Sequence, residues 1–134
     1  MVITKEIKQG IKELAEKYRL LLVVLFGSQV KGKTHSQSDV DLAFSAEEPM
    51  SPADLAKMQT DFSENLKIKD LEMVGLNGAH PFLLKQVAQN SIVLYEKERS
   101  LFAKFKIYAF KRFVEARNLM DLRKLSLDRF LQKI

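Results

Sequence analysis

Between Phe26 and Leu42 the chain reads Phe-Gly-Ser, then ten residues, then Asp-Val-Asp-Leu. Asp39 and Asp41 are one residue apart at the start of a short apolar run. Alternate residues of a strand point to one face, which would set the two carboxylates side by side with Cα atoms roughly 6–7 Å apart. Like charges that close repel unless a cation lies between them, and oxygen-only ligands favour a hard ion such as Mg²⁺. Ahead of them, Gly27-Ser28 follows an apolar segment. A glycine turn there can aim backbone N–H groups at an anion, and Ser28 adds a hydroxyl donor. A phosphate cradle next to a paired-carboxylate metal site is equipment for nucleotidyl transfer. Such chemistry needs a third carboxylate to share an ion or take the proton of the attacking hydroxyl. Asp70 and Glu72, at i and i+2 on an apolar segment, both offer one. The chain contains no cysteine, and no Ser-His-Asp arrangement is in evidence.

The elements that must position these groups follow from hydropathy spacing. Ile7, Ile11, Leu14, Ala15 and Tyr18 recur at helical intervals behind Thr4, a candidate N-cap. Leu20–Phe26 is continuously apolar, as in a central strand covered on both faces. Ser28–Gly32 has room for one helical turn, 33–38 is a polar loop, and 40–44 is a second strand. Ser51-Pro52-Ala53-Asp54 opens a helix through Leu55, Met58, Phe62 and Leu66. A third strand is expected within 67–76, a turn at Asn77-Gly78, a helix from Pro81 to Val87, and a short strand at 91–95. A helix over 98–119 is followed by a shorter amphipathic tail after Asp121. Together these predict an α/β (α+β) fold, a small mixed sheet flanked by helices, in a single domain spanning 1–134. Within it, 1–96 form the core and 97–134 a basic helical extension.

At 134 residues, with 46% hydrophobic and 29% charged content, the chain can bury a real core. No signal pattern opens it, and the longest apolar run is too short to span a bilayer. The absence of cysteine agrees with a reducing, cytoplasmic setting. The net charge of +5 is unevenly placed: 11 Lys/Arg against 13 Asp/Glu in residues 1–96, and 11 against 4 in residues 97–134. That basic end suits an acidic protein surface, a nucleic acid or nucleotide phosphates, and a solvated lysine-rich face is the plainer reading. Lys31 and Lys33 read as phosphate contacts or as solvated loop lysines. His35 reads as a solvent-exposed loop residue, His80 as the residue that starts a helix. Aromatic residues on more than one side of the last helix leave a stripe for a partner.

Leu25–Gly32 together with Ser38–Leu42 resembles the minimal nucleotidyltransferase family of the DNA polymerase β-like superfamily. The likeness continues through Leu71–Pro81 and Val93–Glu96. It implies a polymerase β-like nucleotidyltransferase fold, Ser28 as a phosphate contact, and Asp39 and Asp41 as metal ligands; Gly27 and Lys31 are the further residues expected at the nucleotide. Glu72 falls where the family carries its third acid, usually Asp, so the resemblance makes Asp39, Asp41 and Glu72 both catalytic and metal-binding. Gln29 stands where many members have Arg. Proteins of this size in the family resemble antitoxins of two-gene modules that use Mg²⁺ and ATP. They transfer AMP to a tyrosine of a helical HEPN ribonuclease toxin. The resemblance therefore implies a protein adenylyltransferase with such a toxin as partner, without direct nucleic-acid or membrane binding. The alternatives are a subunit of the same fold that neutralises its partner by binding alone, and transfer to a small molecule.

Overall fold

The computed structural model describes residues 3–27 and 40–133. Ser28, Gln29, Lys31, Lys33, His35 and Asp39 lie outside the described residues, as do the single helical turn and the polar loop expected there. The elements run α1 (Lys5–Lys17), β1 (Leu20–Phe26), β2 (Val40–Ala46), α2 (Pro52–Leu66), β3 (Leu71–Gly75), α3 (Pro81–Gln89), β4 (Ser91–Glu96) and α4 (Leu101–Gln132). The four strands form one sheet in the order β3-β2-β1-β4. β1 runs antiparallel to both β2 and β4, and β2 pairs in parallel with β3 across the α2 crossover.

Strand β1 is central because nearly every residue of it can be buried: Leu20 and Leu22 to Phe26 are all shielded from solvent. Its two faces meet two helix layers. Val23 and Leu25 join Val40, Leu42, Phe44 and Met73 beneath α1 and α2, with Ile11, Met58 and Phe62 fully buried there. Leu22, Val24, Phe26 and Ala43 face α3 and α4 through Leu84, Val87 and Ala109. The sheet is therefore a mixed sheet covered on both sides, the α/β architecture expected from the chain.

Local chemistry sets the helix starts. Thr4 Oγ1 accepts the Ile7 N–H at 3.2 Å, and Ser51 Oγ accepts the Asp54 N–H at 3.1 Å with Pro52 at the first helical position. His80 caps α3, its Nδ1 accepting the Phe82 N–H at 3.2 Å.

Two boundaries differ from expectation. The third strand begins only at Leu71, so Asp70 stands just before it, its carbonyl accepting the Val40 N–H at 2.9 Å. The expected separate tail after Asp121 is absent. Nothing from Leu101 to Gln132 breaks the helix, since that stretch holds neither Gly nor Pro and is rich in Leu, Lys, Arg and Ala. Asp121 lies within one continuous helix of 32 residues.

Candidate active site

The site is built at one end of the sheet, where β1 finishes and β2, β3 and β4 begin. In the parallel β2–β3 ladder Asp41 stands opposite Glu72, and in the antiparallel β1–β2 ladder it stands opposite Phe26. Phe26 in turn lies opposite Ser91 on β4. Residues opposite one another share a sheet face. Glu72, Asp41, Phe26 and Ser91 thus form one row across all four strands. Leu71 and Met73 turn to the core under α1 and α2. Strand alternation therefore puts Glu72 on the opposite face, with Asp41 and on the side of α3 and α4.

This places one of the two aspartates beside an expected third acid. Asp41 is half-buried and Glu72 exposed, so one carboxylate is partly shielded while the other stands at the rim. Asp70, the other candidate, is exposed at the residue before the strand. Among the described residues the ladder pairs Asp41 with Glu72, and Asp70 meets β2 through its carbonyl, which accepts the Val40 N–H.

Gly27 closes the end of β1 with φ +84°, a conformation that L side chains rarely adopt. A Cβ built on it would lie 2.9 Å from Asp41 Oδ2. The lack of a side chain at 27 is therefore what lets the backbone come up to the carboxylate. That cradle, with an oxygen-only donor pair in register, fits a hard divalent ion and the phosphate it accompanies. Among the described residues no three His, Cys, Asp or Glu side chains cluster for a metal. Asp39, the partner expected for Asp41, lies outside those residues, with Ser28 and Lys31.

Sequence reasoning missed Phe26 and Ser91 as members of the row. Ser91 Oγ is buried and has no hydrogen-bond partner among the described residues. Its only sequence signal is its place as the first residue of a strand. A cavity of about 450 Å³, bounded by Leu22, Ser45, Leu76, Asn77, Lys104 and Tyr108, lies at the other end of the sheet and does not touch the row. No helix among the described residues is long and apolar enough to cross a membrane.

Comparison with known proteins bears on the fold and the family. Residues 9–100 match the family described as polymerase beta, nucleotidyltransferase. Two proteins of Methanocaldococcus jannaschii, both named as protein adenylyltransferases, are 30% and 29% identical over 84 residues, 62% of this chain and 85% of each relative. Among solved structures, a toxin–antitoxin crystal structure with AMP-PNP matches with a TM-score of 0.73 at 22% identity, over 92% of this chain and 98% of that one. A chain from the complex of a tri-AMPylated Shewanella oneidensis HEPN toxin with an MNT antitoxin matches with a TM-score of 0.67 at 20% identity, over 93% and 96%. At these identities the structural likeness speaks for the fold, which extends over α4 as well as the sheet. With more than half its length matched, the chain belongs to the polymerase beta nucleotidyltransferase family.

Proposed function

We propose that this protein is an Mg²⁺-dependent protein adenylyltransferase. In this reading it transfers AMP from ATP to a tyrosine hydroxyl of a helical HEPN ribonuclease, acting as the antitoxin of a two-gene module in the cytoplasm. The observation that carries the proposal is the register of Asp41 with Glu72 beside the Gly27 turn. The family match and the two relatives named as adenylyltransferases support the same reaction class.

In this reading Asp41, with Asp39 and Glu72, holds Mg²⁺. When bound, the ion supplies charge neutralisation at the triphosphate and lowers the pKa of the attacking hydroxyl. Backbone N–H groups following Gly27, with Ser28 and Lys31, orient the phosphates. The tyrosine oxygen forms a bond to the α-phosphorus while the α–β phosphoanhydride bond breaks and pyrophosphate leaves. Glu72, at the exposed rim of the row, takes the tyrosine proton. Phe26 and the apolar floor beneath Asp41 limit water on the sheet side, which strengthens electrostatic stabilisation of the charge-rich transition state. The AMP group adds negative charge and bulk to the acceptor and would block an RNA site there.

Intact-mass spectrometry of the protein encoded beside this one, after incubation with ATP, Mg²⁺ and this chain, tests the proposal. Whole AMP adducts that disappear when the acceptor tyrosine is changed to Phe are expected. A tight complex without adducts would instead favour neutralisation by binding alone.

A further inference from the structure

Helix α4 is about 48 Å long at 1.5 Å per residue, and among the described residues only its first half packs on the body. Over that half its inward stripe packs on the body. Ala109 is fully buried, and Phe113 meets α3, its ring 5.6 Å from Phe82 and 4.1 Å from Lys85 Nζ. Phe82 is the second residue of α3, so α3 ends where α4 passes Phe113. The stripe does not end there. Ala109, Phe113, Ala116, Met120, Arg123 and Leu127 follow one another at alternating intervals of four and three, the seam of a coiled coil. Yet every residue from 117 to 133 is exposed, with Met120 at 52% and Leu127 at 55%. One interface begins against α3 and runs on into solvent.

Arg123 identifies what covers the rest. It occupies a seam position where the spacing calls for an apolar residue, and a single polar seam residue selects partner and register. The flanks share its sign, since residues 101–133 hold nine Lys/Arg against three Asp/Glu. Pairing two copies in parallel sets Arg123 against Arg123. That excess of positive charge on both sides of Arg123 is complementary to an acidic helix. We propose that the free half of α4 is a docking seam for one amphipathic helix of a partner protein. That helix continues α3 along the same stripe, brings apolar residues to Ala116, Met120 and Leu127, and presents an acidic residue to Arg123. This inference rests on the helix alone and is independent of the reaction at the sheet end.

Two synthetic four-heptad peptides with leucine seams, one flanked by Glu and one by Lys, probe it against the intact chain by titration calorimetry and sedimentation. The chain alone is expected to sediment as a monomer. The Glu-flanked peptide should bind about tenfold or more tighter than the Lys-flanked one. Arg123→Glu should reverse that preference, and Met120→Asp with Leu127→Asp should abolish binding of either. All three positions are exposed, so circular dichroism and thermal unfolding should match the parent. Equal affinity for both peptides, binding unchanged by Met120→Asp with Leu127→Asp, or a dimer of the chain that those substitutions dissolve would each overturn the proposal.

Discussion

Gly27 and Asp41 approach so closely that a single added carbon on the glycine would stand 2.9 Å from Asp41 Oδ2. The turn that ends β1 and the acid at the second position of β2 are therefore one device. The glycine holds a positive φ of 84° and leaves the space that the carboxylate occupies.

Gly27→Ala is expected to act twice. The backbone strain at that φ costs about 1–2 kcal/mol of stability, read as a lower midpoint in urea unfolding. Pushing the Asp41 carboxylate aside should lower transfer activity by more than that loss of folded protein explains. Activity normalised to folded protein separates the two effects.

The ladder sets Glu72 opposite Asp41. Glu72→Ala is expected to reduce transfer about 100-fold or more, in the range of a lost general acid–base group. Asp70→Ala, one residue outside the strand, should retain most activity. Single-turnover rates with saturating ATP compare them, and the reverse ranking would place the third acid at Asp70.

Ser91→Ala should leave the fold intact and raise its stability by about 1 kcal/mol, because the buried hydroxyl has no hydrogen-bond partner among the described residues. Thermal unfolding of the nucleotide-free chain measures this. A drop of similar size would show that the hydroxyl is engaged.

Away from the site, Tyr18 donates to Asp61, which also accepts from Lys17 Nζ at 3.1 Å. Burial, then the Asp61 contact, pushes the Tyr18 phenol up to about 12 from 10.0. Its hydrogen bonds from Tyr18 and Lys17 hold Asp61 below the usual carboxylate value of 3.8. A raised phenol contributes stability that is fully present below pH 10 and is lost as pH rises from 10 toward 12. A lowered carboxylate contributes stability present above pH 3.8 and lost as pH falls below it. Tyr18→Phe should therefore flatten the alkaline decline and leave part of the acid one, where Lys17 still pairs with Asp61. Urea unfolding across pH checks both arms.

Much of this was legible in the residues. Leu20–Phe26 declared a central strand by its unbroken apolar run, and Thr4, Ser51 and His80 declared helix starts by side chains able to accept a free N–H. The choice between Asp70 and Glu72 came from the family resemblance, which picks Glu72, and not from spacing. Their i, i+2 spacing is the same in any strand, and only the β2–β3 register pairs one of them with Asp41. The unity of α4 was not legible. Asp121 and a shift in apolar spacing suggested a break, whereas a stretch without Gly or Pro simply carries the helix on. The cross-sheet row joining Ser91 to the acids depends on strand order, which spacing along one chain does not encode.

The most direct test uses α-phosphate-labelled ATP, Mg²⁺ and the protein encoded beside this chain. Transfer is followed for the parent, Asp41→Ala and Glu72→Ala, with complex formation measured alongside. The account predicts label on a tyrosine of the partner with the parent, none with Asp41→Ala and strongly reduced transfer with Glu72→Ala, while all three still bind. Label that persists undiminished in Asp41→Ala, or a parent complex that forms and never takes label, would contradict it.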